Sequence, residues 1–229
     1  MPYRYLQELT TPSVAAAQER YGSQAAVQRL LVGWDTNPLL NAAEAAFVAE
    51  RDSFYLATVS ENGWPYLQHR GGPTGFLRVL EPVDGHSVLG WADLRGNRQY
   101  LSVGNLGNSP RVSLLLMDYA HQRRLKIIGT ARVTDVHDGT PGDLLERLRV
   151  PGQRGKVERL ITIDIHSYDW NCPQHITPRY SAAELADALT PVHEELARLR
   201  ADNRVLREQL QLRPAPPGDG TGNKDGHEH

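Results

Sequence analysis

Four short stretches carry the side chains that could do chemistry. In residues 68–76, "QHRGGPTGF", His69 and Arg70 stand directly before Gly71 and Gly72. Arg70 is a fixed cation, His69 a second donor, and Gln68 precedes both. The glycines let a ligand come close to exposed backbone N–H groups, and consecutive free N–H groups bind anions. The stretch therefore suits a phosphate, although a β-bulge or barrel corner would use the same glycines. In residues 91–106, "WADLRGNRQYLSVGNL", the pattern leaves a strand and enters a short helix over about 97–103. Arg95, Gly96, Asn97 and Arg98 fall at its start, and Gly104-Asn105 read as its stop. A helix start with two arginines is a good phosphate cradle; a capped surface helix with solvated arginines is the plainer alternative.

The third stretch is "RRLKIIG" (123–129), where strand alternation puts Arg124 and Lys126 on one face and Leu125 and Ile127 on the other. A solvent face would look the same. The fourth is "DWNCPQHITPR" (169–179). There Trp170, Asn171, Gln174, His175 and Arg179 bring an aromatic plane beside amide, imidazole and guanidinium groups, a set able to hold a polar heteroaromatic ring. A terminal loop packing Trp170 into a core is the alternative.

Other chemistries are disfavoured. The nine histidines show no ligand spacing with the single cysteine, Cys172, or with paired carboxylates, so no metal centre is expected. Cys172 has no evident neighbouring base. There is no G-x-S-x-G, P-loop or G-x-G-x-x-G, which argues against the usual serine hydrolases, P-loop nucleotidases and Rossmann dehydrogenases. With a net charge of -2 there is no global field to attract nucleic acid. One cysteine allows no internal disulfide. The N-terminal "MPYRYLQELTTP" lacks the apolar core of a signal peptide, and no run approaches the roughly 18 apolar residues of a membrane helix. The expectation is a cytoplasmic protein with no membrane partner.

The elements that must position these residues follow from periodicity. Residues 1–51 read as helical, with Thr11-Pro12 and Asn37-Pro38 as helix starts and Leu39, Leu40, Ala43, Phe47 and Val48 at helical spacing. From Phe54 the pattern is β: hairpins 54–60/64–70, 76–81/87–91 and 111–117/124–136, then a strand over 158–170. Short helices are expected near 97–103 and 142–149. Six or seven antiparallel strands of this kind suggest a mainly β (α+β) domain at 52–180 built as a small closed barrel, or alternatively a sandwich.

Residues 181–212 read as a C-terminal helix, with "SAAE" (181–184) as a capping box and Thr190-Pro191 as a further start. Leu189, Leu196, Asn203 and Leu210 fall at heptad position a, and Val192, Leu199 and Leu206 at d. In a parallel pair of such helices Glu195 would face Arg200, and Asp202 would face Arg207, of the other strand. A surface helix packed on its own barrel is the alternative. Residues 213–229 are polar and rich in Pro and Gly, and disorder is expected there.

The segments "FYLATVSENGWPYLQHRGGPTGF", "LGWADLRGNRQYLSVGNLGNSPRVSLLLMDY" and "RRLKIIGTARV", in this order over about residues 40–180, resemble the pyridoxamine 5′-phosphate oxidase-like FMN-binding proteins. "DWNCPQHITPR" is similar to one subgroup of them. The resemblance implies a split β-barrel homodimer with one FMN in each of two interfacial clefts. It implies that Gln68, His69, Arg70 and Gly71 run along the FMN, that Trp91, Ala92 and Asp93 border the flavin, and that Asn97 and Arg98 hold the phosphate. Arg124, Lys126, Trp170, Asn171, Gln174 and His175 would complete the cleft, some from the partner subunit. Two departures stand out. Gln68 and Gln99 occupy places where the oxidase has an arginine and a lysine, and the oxidase's C-terminal substrate-binding pattern is not evident. The implied function is an FMN-dependent oxidoreductase acting on an unknown small molecule by hydride transfer to flavin. His69, Lys126 and Gln174 are the candidates beside the flavin's N1–C2 carbonyl edge, and no residue is assigned as a catalytic acid. The alternatives are a deazaflavin-dependent reductase of the same fold, or a non-catalytic flavin or haem binding or sensor protein.

Overall fold

The structure is a computed structural model that describes residues 3–31, 39–137, 142–170 and 174–211. It divides into two compact units, Met1–Pro178 and Arg179–His229.

The first unit opens with four helices: α1 (Tyr3–Leu9), α2 (Pro12–Arg20), α3 (Gln24–Leu31) and α4 (Ala42–Ala49). Thr11 caps α2, its hydroxyl accepting from the Val14 N–H, with Pro12 at the first helical position where its missing N–H costs nothing. Asn37-Pro38 lies outside the described residues. The helix expected from Leu39 begins three residues later. Asn41 accepts from the Ala43 and Glu44 N–H groups while Glu44 reaches back to the Asn41 N–H, a reciprocal capping box that fixes the start. Phe47 and Val48 from α4 are buried in the core.

Seven antiparallel strands follow: β1 (Ser53–Val59), β2 (Pro65–Gly71), β3 (Arg78–Val83), β4 (His86–Leu94), β5 (Arg111–Asp118), β6 (Arg123–Asp135) and β7 (Val157–Trp170). Two helices interrupt them, α5 (Leu101–Asn108) and α6 (Leu144–Leu148). β1 and β5 alternate buried and outward residues, so Phe54, Leu56, Leu114 and Leu116 share one core with Leu125, Ile127, Ile161 and Ile163. The β3–β4 hairpin turns on Asp84 and Gly85, both at positive φ (49° and 77°), as a tight two-residue turn requires.

The strand order is β2-β1-β5-β6-β7-β4-β3. The end strands β2 and β3 do not pair, so the barrel that periodicity suggested as closed is open at one seam, and the sheet is the split barrel that the resemblance implies. β6 and β7 form a long ladder with a register shift between Ile128 and Gly129. A side chain at Gly129 would collide with the Asp164 carbonyl, so the close approach of the two strands there requires glycine.

The helix expected at 97–103 lies later, at Leu101–Asn108. Arg98 and Tyr100 both adopt left-handed backbone (φ 64° and 54°), which no α-helix tolerates, so the chain turns before it coils. Gly104 and Asn105, expected as the stop, sit inside α5.

Among the described residues the second unit holds one helix, α7 (Ala182–Gln211), of 30 residues. Ser181 and Glu184 form the expected capping box: the Ser181 N–H donates to Glu184 and the Glu184 N–H to the Ser181 hydroxyl. The expected restart at Thr190-Pro191 does not occur. The helix runs through Pro191, and Thr190 donates its hydroxyl to the Ala186 carbonyl. No residue of α7 is buried.

Candidate functional site

At the open seam, residues from β2, β4, β7 and the loop before α5 surround a cleft of about 240 Å³. Its floor is an ion triad. Asp93 on β4 is buried, accepts from Arg70 on β2 at 2.6 Å and pairs with Arg159 on β7 at 3.2 Å. β2 is the first strand of the sheet and β4 the last but one, so the Arg70–Asp93 bond links two strands that share no backbone ladder. Burial works against the charge of Arg159, but Asp93 and then Glu158 outweigh it and hold its pKa above the ordinary arginine value. Arg159 also lies over the Tyr100 ring at 4.9 Å, and the Tyr100 hydroxyl donates to Glu158.

The rim is set by the left-handed loop. Asn97 accepts from the Gln99 N–H and donates its amide to the Gln99 side chain, a local brace that fixes the turn. Arg98 lines the cleft and has no hydrogen bond or ion pair among the described residues. Ser102, in the first turn of α5, donates its hydroxyl to Gln68 at 2.7 Å and so fixes the β2 side chain beside the helix start. The Arg70 Nε is buried and without a partner.

A smaller cavity of about 170 Å³ adjoins the cleft across Arg70 and Asp93, lined also by His69, Gly71, Trp91 and Ala92. The His69 ring meets Tyr55 edge-on. Ladder bonds join Ser60 to Trp64 and Gly72 to Asp52. By alternation the N–H and C=O of His69 and Gly71 then point off the free edge of β2. Trp91 is mostly core: it packs edge-to-face on Phe54, and its indole N–H is buried without a partner.

Thus nine of the sequence-predicted residues, Gln68, His69, Arg70, Gly71, Trp91, Ala92, Asp93, Asn97 and Arg98, come together around this seam. Of the glycines in "QHRGGPTGF", Gly72 and Gly75 have a packing explanation. A Cβ at Gly72 would stand 2.7 Å from the Phe76 ring, and Gly75 is left-handed (φ 78°) against the Ala49 carbonyl. Only Gly71 lines a cavity.

The other predicted residues that the structure describes, Arg124, Lys126, Trp170, Gln174 and His175, line neither of these two cavities. Lys126 pairs with its cross-strand neighbour Asp169 at 2.8 Å and approaches the Tyr5 ring of α1 at 4.8 Å. Burial, reinforced by the Asp169 charge, raises the Tyr5 phenol pKa. Arg124 shares that outer face of β6. Trp170 follows the packing alternative: its indole N–H donates to the buried Glu44 at 2.6 Å, and its ring meets Phe47 edge-to-face. Gln174 and His175 form an exposed turn, His175 at φ 64°. Asn171 lies outside the described residues.

Sequence reasoning missed Arg159, Tyr100 and Ser102. Arg159 was legible: it shares strand parity with Ile161, Ile163 and Ile165, the core-facing set, and an arginine there needs a buried anion. Tyr100 and Ser102 had no such signal, because the loop geometry was not readable. A larger cavity of about 820 Å³ lies between α1 and the outer sheet face, beside His86, His166 and Arg111, and holds none of the predicted residues.

The cleft fits a phosphorylated ligand. Of the three arginines that line it, Arg70 and Arg159 share Asp93, Arg159 also pairs with Glu158, and Arg98 pairs with no carboxylate among the described residues. Arg98 and the orphaned Arg70 Nε remain to meet an anion, and the free edge of β2 offers backbone donors and acceptors.

No curated protein sequence matches the chain significantly. Among solved structures, HupZ from Group A Streptococcus is 12% identical, with 62% of this chain and 100% of that chain covered and a TM-score of 0.44. A putative pyridoxamine 5′-phosphate oxidase from Lactobacillus delbrueckii is 19% identical, covering 59% and 96%, with a TM-score of 0.43. An F420 reductase is 17% identical, covering 57% and 98%, with a TM-score of 0.38. The family model described as pyridoxamine 5′-phosphate oxidase matches residues 40–145, from just before α4 to the start of α6. Over that stretch, a little under half of its length, the chain is similar to the pyridoxamine 5′-phosphate oxidase family.

Proposed function

We propose that the chain is an FMN-binding oxidoreductase acting on a small molecule, and that it works as a homodimer with FMN in clefts between two subunits. The observation that carries this is the pairing at the seam. Two guanidiniums, Arg70 and Arg159, are paired with Asp93, and a third, Arg98, lines the same cleft with no partner among the described residues. Paired charges on the floor and an unpaired cation at the rim suit a ligand that brings its own double negative charge. In this reading Arg98, the α5 start at Ser102 and the Arg70 Nε hold the phosphate. The free backbone edge at His69 and Gly71 meets the ring system. Lys126, Arg124, Gln174 and His175 would reach it from the partner subunit, which accounts for their distance from the seam within one chain. Bound FMN supplies the two-electron chemistry that no side chain offers.

The purified full-length protein should absorb as a flavoprotein or take up FMN on titration. A colourless protein with no uptake refutes the proposal. Arg98→Ala should weaken FMN binding by about 10- to 150-fold, the loss of one or two charge-assisted hydrogen bonds of about 1.5–3 kcal/mol. Unchanged affinity removes Arg98 from the site. Steady-state assays with candidate donors and acceptors test turnover, and tight FMN with no turnover would make the protein a flavin carrier or sensor.

A further inference from the structure

We infer that α7 is a dimerisation helix whose partner is a second copy of itself, in parallel and in register. This goes beyond the cofactor assignment and does not depend on it.

The helix carries an apolar seam that no described residue covers. Leu185, Leu189, Val192, Leu196, Leu199, Leu206 and Leu210 are each at least 37% exposed, an unusual display for seven aliphatic residues on one stripe. Their spacing alternates four and three, the period of a left-handed two-stranded coil, not of a helix lying on a sheet. At 30 residues the helix is about 45 Å long, enough for four heptads. Pro191, the one residue that could spoil such a seam, sits at position c, pointing away from it.

Charge identifies the occupant. On one flank, position g holds Glu195 and Asp202; on the other, position e holds Arg200 and Arg207. In a parallel pair each g residue faces an e residue of the other copy, so all four contacts are attractive. In an antiparallel pair g faces g and e faces e, so acid would meet acid and arginine would meet arginine. The single polar seam residue, Asn203, gives the same answer. In a parallel, in-register pair it meets its own copy and both amides can bond; in a shifted or antiparallel pair it is buried against leucine with its amide unmet. The seam therefore specifies copy, direction and register together.

The test is disulfide trapping in the full-length chain, with Cys172 replaced by Ser. Leu206→Cys is a d position near one end of the helix, and Glu208→Cys is its outward control. In the parallel pair the two residues at position 206 lie side by side, so Leu206→Cys should form a covalent dimer at least about ten times faster than Glu208→Cys under mild oxidation. Reversing Arg200 and Arg207 to Glu in the Leu206→Cys background should slow trapping. Adding Glu195→Arg and Asp202→Arg should restore it. Equal rates for the two single-cysteine variants overturn the inference, as does trapping that ignores the charge reversal. Neither result bears on FMN uptake, so the cofactor proposal stands or falls separately.

Discussion

Asp93→Asn is the sharpest test of the seam. Asp93 is 4% exposed, and the side chains it neutralises are nearly as enclosed: Arg159 at 9% and Arg70 at 16%. The substitution keeps shape and one acceptor oxygen but removes the charge, leaving two guanidiniums facing each other in a poorly solvated space. Losing one partner of a buried pair costs about 3–5 kcal/mol, and because Arg70 can partly rehydrate the lower end is expected, about 3 kcal/mol. For a chain of this size that is a fall of about 6–12 °C in Tm. Thermal and urea unfolding of the full-length protein measure it. A second variant isolates the cause. Adding Arg159→Met to Asp93→Asn removes one of the two cations that lost their shared anion, while Glu158 keeps Arg95 and the Tyr100 hydroxyl as partners, so the double variant should be no less stable than the single one. A loss below about 1 kcal/mol for Asp93→Asn, or a double variant that simply adds two costs, would refute the seam as an electrostatic unit.

Gly72→Ala should cost about 1–3 kcal/mol, since its Cβ would press on the buried Phe76 ring, whereas Gly71→Ala meets only the edge of the His69 side chain and should cost less. Equal losses in chemical denaturation would show that the packing account of the loop is wrong. Asp118 gives an acid dependence. Burial pushes its carboxyl up, but hydrogen bonds from the His121 N–H and ring, with the Arg51 charge, outweigh that and hold it below the ordinary carboxylate range. The unfolded chain therefore takes up this proton first. The stabilisation is complete above the ordinary value of about 4 and fades as pH falls through the depressed folded value. Asp118→Asn should lose stability at neutral pH and flatten the acid limb of the stability curve, and an unchanged acid limb would exclude Asp118 as a contributor.

The strands were legible because burial is written into them at period two. "FYLATVS" and "RLKIIGTARV" alternate cleanly, and the Asp84-Gly85 turn is a strong local signal. The seam was not legible. Whether the end strands pair depends on accumulated twist around the whole sheet, which no local window records. The α5 boundary failed for a related reason. "RGNRQY" has acceptable helix formers, and the left-handed turns at Arg98 and Tyr100 come from tertiary contacts such as Tyr100 with Glu158 and Arg159. Trp170 was ambiguous because an indole suits a ring-binding cleft and a core equally; the buried Glu44 that it satisfies is 126 residues away. On the cleft side the residue types were right because cations, glycines and amides seldom cluster inside strands without a purpose. The side chain that anchors their geometry, Arg159, was legible only through strand parity, as the charged residue on the core-facing side shared with Ile161, Ile163 and Ile165.

The Arg70–Asp93–Arg159 triad also constrains how this chain can change over generations. Substituting Asp93 alone takes the shared anion from both guanidiniums where the barrel is split, so a single-step path through position 93 is steep. Neutral replacements become tolerable only in combination. Across descendants of this sequence, positions 70, 93 and 159 should be kept or exchanged as a block, although they lie on three different strands and up to 89 residues apart. Neighbouring rim positions, free of that bond, are then where ligand preference can drift.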